Sequence, residues 1–159
     1  MTEGLVTDEA PAAADGGGLR HGDRTYVLDD QAGFILRQVS QRHAAIFAEM
    51  IEESLTPTQF SALAKLCELG AVTQNRLGRL TAMDAATIKG VVDRLTERGL
   101  IHGRPDPNDR RRRVIGPTAG GRALMDTVLP RAFRITADTL APLSPKEQGT
   151  LLALLRKLR

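Results

Sequence analysis

Apolar positions recur at three- and four-residue steps from Asp29 or Asp30 onward, through Ile35, Leu36, Val39, Ile46, Phe47, Met50 and Ile51, with His43 on the same stripe. This spacing predicts an amphipathic helix of roughly six turns. Leu55-Thr56-Pro57-Thr58-Gln59-Phe60 then reads as a second helix start, with Thr56 as N-cap, Pro57 at the first helical position and Gln59 closing a capping box. Phe60, Leu63, Leu66 and either Cys67 or Leu69 face inward, and Gly70 stops the helix. After a short extended Ala71-Val72, Thr73 caps a brief helix from Gln74 to Leu80. Asp84 caps the next, which runs to Arg98 before Gly99, with Ile88, Val91, Val92 and Leu95 as its inward stripe.

The pattern then changes period. Leu100 to Arg104 and Arg112 to Gly116 read as short strands around the turn-rich Pro105-Asp106-Pro107-Asn108-Asp109-Arg110-Arg111, a hairpin with an arginine-rich tip. From Thr118 a helical pattern returns through Leu124, Val128, Phe133, Ile135 and Leu140, with Pro130 expected to bend it. A final capping box at Ser144-Pro145-Lys146-Glu147 opens a helix through Leu151, Leu152, Leu154, Leu155 and Leu158. Residues 1–24 show no periodicity, and the Gly16-Gly17-Gly18 run suits a flexible tail.

The fold class expected is mainly α with a small β-wing: a winged helix-turn-helix with flanking dimerisation helices. The division expected is a tail over 1–24, an N-terminal dimerisation helix region over 25–55, the winged helix-turn-helix over 56–117, and C-terminal dimerisation helices over 118–159. Aromatic residues make up only 3% of the chain and Trp is absent, so the core must be aliphatic. A β-sandwich is excluded on that ground.

Charge adds a partner to this picture. Between Ala71 and Arg122 eleven Lys or Arg face five Asp or Glu, a net +6 in a chain whose total is +3. A basic region on an otherwise acidic chain suits a polyanion, because neutralising phosphates releases condensed counterions. The single Cys67 excludes an internal disulfide, and neither His21 nor His102 has metal-ligand spacing to other residues. No Gly-rich phosphate loop, nucleophile elbow or paired His motif is present, so neither an enzyme nor a cofactor is expected. No apolar run reaches the bilayer-spanning length and no secretory pattern opens the chain, so a cytoplasmic protein without membrane contact is expected.

Met83-Asp84-Ala85-Ala86-Thr87-Ile88, Val92-Asp93-Arg94-Leu95 leading to Gly99-Leu100-Ile101, and Asp106-Pro107-Asn108-Asp109-Arg110-Arg111 followed by Thr118 and Gly121 carry a resemblance to the MarR family of multiple antibiotic resistance regulators. It covers about residues 29–159. The resemblance implies a triangular homodimer with intertwined terminal helices, two winged domains reading a pseudo-palindromic operator in double-stranded DNA, and control by a small molecule, commonly an aromatic acid, in a cleft between dimerisation and DNA-binding regions. At Gly116-Pro117 the chain departs from the family's aliphatic second wing strand. Pro117 cannot donate a ladder bond, so that strand is expected to end early.

Within this frame, Arg110, Arg111 and Arg112 at the wing tip are candidates to enter a narrow minor groove. The resemblance implies that Asp109 pairs with Arg111 while Arg110 points at DNA, or the same arrangement one residue along. Thr87 and Lys89 are candidates for base edges or phosphates, and Ala86 and Gly90 allow close approach. Gln74, Asn75 and Arg76 are candidate phosphate clamps. Arg37, Ser40, Gln41, His43 and Phe47 are the candidates for a ring bearing a carboxylate.

The function expected is a dimeric transcriptional regulator, a repressor released by an aromatic acid or its coenzyme A thioester, controlling a catabolic or efflux operon. The alternative is a ligand-independent regulator, or one that responds to thiol oxidation at Cys67.

Overall fold

The computed structural model describes residues 18–52, 55–106, 109 and 113–159. Arg110, Arg111 and Arg112, and the tail as far as residue 17, lie outside them. The chain divides into two units, Met1–Ser40 and Gln41–Arg159.

In the first unit, β1 (Leu19–His21) and β2 (Arg24–Tyr26) form an antiparallel hairpin that pairs Leu19 with Tyr26 and His21 with Arg24. Gly22, at φ +60°, supplies the left-handed turn residue. Sequence reading gave this stretch no fold, because three-residue strands offer too little alternation to be recognised. A single 3-10 turn at Leu28–Asp30 follows, and α1 (Ala32–Met50) starts after it, two or three residues later than Asp29 or Asp30 suggested.

In the second unit, α2 (Pro57–Leu69) begins as expected. Thr56 Oγ1 accepts from the Gln59 N–H at 3.2 Å, while Gln59 Oε1 accepts from the Thr56 N–H at 3.2 Å. Gln59 is buried, so the box also gives partners to an amide that burial would otherwise leave costly. Cys67 rather than Leu69 turns inward: Leu69 is 46% exposed. The two-residue β3 (Val72–Thr73) leads to α3 (Gln74–Leu80), capped by Thr73, and then to α4 (Ala85–Glu97), capped by Asp84. Ile88, Val91, Val92 and Leu95 of α4 are all buried, on the stripe their spacing predicts.

The wing is a three-stranded antiparallel sheet in the order β3-β5-β4, with β4 at Ile101–Pro105 and β5 at Arg113–Pro117. Pro117 does not shorten the strand. It pairs with Ile101, and the next residue, Thr118, donates its N–H to the Leu100 carbonyl at 3.0 Å. Alternation then turns the Pro117 nitrogen toward the β3 side, where pairing stops at Val72 with Ile115. The missing donor therefore costs no ladder bond.

Two long helices close the chain, α5 (Ala119–Leu140), which runs on through Pro130, and α6 (Pro145–Lys157), which starts at the Ser144–Glu147 capping box. Leu63, Leu66, Leu77, Leu95, Ile101, Ile115 and Val128 are the largest fully buried side chains, so the centre of the unit lies where α2, α3, α4, the wing and α5 meet. Phe133 is 70% exposed and Leu158 78%, Leu129, Leu154 and Leu155 are exposed to lesser degrees, and α6 buries no residue completely.

Candidate functional site

Helices α3 and α4 are joined through Thr81, Ala82 and Met83, and the joint is tight. The Met83 N–H donates to the Gly78 carbonyl at 2.9 Å, and a β-carbon on Gly78 would come within 3.1 Å of the Met83 carbonyl oxygen. Ala82 adopts φ +53°, the one described non-glycine residue with positive φ. This close turn fixes α4 against α3, so the start of α4 stands clear of the core.

At that start, Asp84 accepts from the Thr87 N–H at 2.7 Å. This bond holds the Asp84 carboxyl below its ordinary range. Ala86, Thr87 and Lys89 are exposed and Gly90 is half-exposed. A β-carbon at Gly90 would meet nothing within 4 Å, so no packing within the chain requires glycine there. Of the candidate clamps, Asn75 and Arg76 are exposed and Gln74 is partly buried.

One neighbour alters the sequence reading of this face. The Asp93 carboxylate lies 2.7 Å from Lys89 Nζ. The i,i+4 spacing could have revealed the pair. Lys89 is thus held by a carboxylate in the free protein.

The wing follows directly. The Leu100 N–H donates to the Leu95 carbonyl at 3.0 Å, and Gly99, at φ +68°, turns the chain from α4 into β4. Asp109 is described and half-buried. Arg113, at the base of the wing, lays its guanidinium over Gly103, where a β-carbon would meet Nη2 at 2.8 Å.

A cleft of about 180 Å³ opens elsewhere in the same unit, lined by His43 and Phe47 of α1, by Pro57, Phe60 and Ser61 of α2, and by Ala132, Ile135 and Thr136 of α5. Phe47 and Phe60 meet edge to face, with ring centroids 5.6 Å apart. His43 Nδ1 lies 2.9 Å from Thr139 Oγ1, and Arg42 donates to the Asp138 carbonyl at 3.0 Å. Of the five ligand candidates, His43 and Phe47 line this cleft, while Gln41 is exposed and does not. Arg37 and Ser40 belong to the other unit, where Arg37 sits 5.5 Å from the centre of the Phe34 ring. Sequence reading missed Ser61, Thr136 and Thr139, although Ala132, Ile135, Thr136 and Thr139 fall at i, i+3, i+4 and i+7 on α5.

Cys67 is half-buried, and burial pushes its thiol up, with Arg122 opposing and Asp126 adding to the rise. A raised pKa leaves less thiolate, the form that oxidants attack. Among the described residues no group of His, Cys, Asp or Glu forms a metal site, and no helix is long and apolar enough to cross a membrane.

Comparison with known proteins agrees with this architecture. Residues 55–112 match the family model described as MarR family. The chain is 40% identical over 134 residues to the HTH-type transcriptional repressor NicR of Pseudomonas putida, covering 84% of this chain and 85% of that one. Among solved structures, a probable transcriptional regulator from Pseudomonas aeruginosa superposes with a TM-score of 0.82 at 56% identity, covering 84% of this chain and all of the other. BpsR of Bordetella bronchiseptica, solved in work on regulation of its DNA binding by 6-hydroxynicotinic acid, gives a TM-score of 0.77 at 40% identity over 81% of this chain and 98% of its own. With its capped α4, its three-stranded wing and relatives matched over most of both lengths, the chain belongs to the MarR family of transcriptional regulators.

Proposed function

We propose that this protein is a homodimeric repressor that reads a pseudo-palindromic operator in double-stranded DNA and is released by a small aromatic acid. One observation carries the reading: the exposed start of α4, with Ala86, Thr87, Lys89 and Gly90, leads within one compact unit into the wing. None of those four residues is buried in the core, so their pattern answers to something outside the chain. Gln74, Asn75 and Arg76 would hold phosphate beside it, and Arg110, Arg111 and Arg112, with Asp109 orienting one of them, would enter the minor groove.

Pairing of two copies is supported by apolar surface that one chain leaves open. Phe133 and Leu158 are 70% and 78% exposed, and Leu154 is 51% exposed. Leaving such residues in water forfeits about 1.5–3 kcal/mol each relative to full burial. Regions 25–55 and 118–159 would therefore dimerise, and region 56–117 would read DNA. Ligand in the His43 cleft would favour a spacing of the two α4 helices that no longer fits major grooves one turn, roughly 34 Å, apart. Differential affinity of about 100-fold between the two states suffices for partial release.

A cleft of about 180 Å³ takes one substituted ring. A coenzyme A thioester would leave its nucleotide outside, so the free acid is the better fit. The relative BpsR, whose DNA binding is regulated by 6-hydroxynicotinic acid, supports that class. Mobility shifts with DNA from upstream of its own coding region, at several salt concentrations and with 6-hydroxynicotinic acid added, test the reading. Tight binding that weakens steeply with salt and is released by the acid is expected. Weak, salt-insensitive binding would overturn the DNA-binding role, and tight binding indifferent to aromatic acids would overturn the effector.

A further inference from the structure

Three hydrogen bonds decide which face of His43 the effector meets. The Thr139 hydroxyl donates to the Ile135 carbonyl at 2.7 Å, one turn back along α5. A hydroxyl has one hydrogen, so Thr139 Oγ1 meets His43 Nδ1, 2.9 Å away, only as an acceptor. Nδ1 must then carry the proton. In the neutral ring this leaves Nε2 as a lone-pair acceptor, and among the described residues no protein donor reaches it. The ring lines the cleft, and the third bond, from Arg42 to the Asp138 carbonyl, ties the same turn of α1 to α5 and fixes the ring's position.

We infer that Thr139 is a positioning residue that sets the His43 tautomer, so that the cleft selects aromatic acids carrying a hydrogen-bond donor, a ring hydroxyl or ring N–H, over those without one. The inference rests on the effector reading above and narrows its ligand class. The rest of the lining fits a substituted ring of this kind. Phe47, Phe60, Ala132 and Ile135 supply apolar walls, Thr136 adds a hydroxyl that either gives or accepts, and the Ser61 hydroxyl, which donates to the Pro57 carbonyl at 2.8 Å, is left only as an acceptor. Nε2 and Ser61 Oγ are thus both acceptors fixed in advance, and fixed polar atoms give pockets their specificity. An effector lacking a donor would leave Nε2 to water or, when bound deeply, to nothing.

The test is a matched pair, 6-hydroxynicotinic acid and nicotinic acid, titrated calorimetrically into the full chain and into Thr139→Val. The parent protein should bind the hydroxylated acid about tenfold more tightly, the scale of one net hydrogen bond. In Thr139→Val the preference should fall below about threefold, mostly through weaker binding of the hydroxylated member. Nitrogen-15 NMR of the imidazole, recorded while the ring is neutral, gives a readout that packing alone would not move. The parent should show His43 protonated at Nδ1, and the variant should shift toward the Nε2–H form. A parent ring protonated at Nε2 overturns the inference whether or not the variant folds. Equal affinity of the parent for both acids overturns it while leaving the effector reading intact, whereas failure of both acids to bind overturns the effector reading as well.

Discussion

Gly121 stands so close to Leu100 that a β-carbon on it would lie 2.1 Å from the Leu100 carbonyl oxygen. That oxygen already accepts from the Thr118 N–H, and the Thr118 hydroxyl donates to the Gly99 carbonyl at 2.7 Å while accepting from the Gly121 N–H at 3.0 Å. One small knot thus joins the end of α4, the base of the wing and the start of α5. A shift in α5 is therefore transmitted to both α4 and the wing through it.

Gly121→Ala would force α5 away from this carbonyl. Overpacking against backbone costs about 3 kcal/mol, a fall in Tm of roughly 10 °C for a chain of this size. Thermal unfolding followed by circular dichroism should show it. An unchanged Tm would mean that the close approach is not held in solution.

Asp84 gives a pH signature. The Thr87 N–H, and secondarily its side chain, lower the carboxyl from its ordinary 3.8. The folded protein thus prefers the ionised acid, so the cap's contribution is whole above that value and is lost as pH falls through the lower folded one. Asp84→Asn keeps a capping oxygen without the titration. Its Tm should decline less than the parent's between about pH 4 and pH 2, and parallel curves would contradict the assignment.

Lys89 and Asp93 should trade places in a salt titration. Lys89→Ala should flatten the slope of log affinity against log salt by about 0.9, the signature of one lost phosphate contact. Asp93→Asn frees the lysine and removes a negative charge, so DNA of any sequence should bind more tightly at low salt, with the gain fading as salt rises. The exposed pair itself contributes at most about 0.5 kcal/mol to stability, so neither variant should change Tm. Identical slopes in all three proteins would remove Lys89 from the interface.

The helices were legible because each carries its own punctuation. Thr56 and Gln59, Thr73, Asp84, and Ser144 and Glu147 cap in the structure as their spacing foretold. Two other features depended on geometry that periodicity does not encode. Pro117 stays in its strand because β3 has already ended beside it, a fact about a third strand that is distant in sequence. The hairpin at Leu19–Tyr26 is too short to show alternation. At the site, the exposed start of α4 followed from the inward stripe opposite it. The cleft was half legible: His43 and Phe47 share a face of α1, but Ser61, Thr136 and Thr139 come from helices whose approach only the fold reveals. Phe133 shares the apolar pattern of α5 with buried Val128 and Ile135 yet stands exposed, because the pattern that buries a residue within one chain is the same pattern that buries it between two.

Hydroxyl-radical footprinting of the protein on its bound DNA tests most directly whether α4 and the wing act together on one duplex. Two protected segments are predicted, centred about 10 base pairs apart on one face, each flanked by minor-groove protection that Arg110→Ala removes while the central protection persists. A single uninterrupted footprint that Arg110→Ala leaves unchanged would contradict the account.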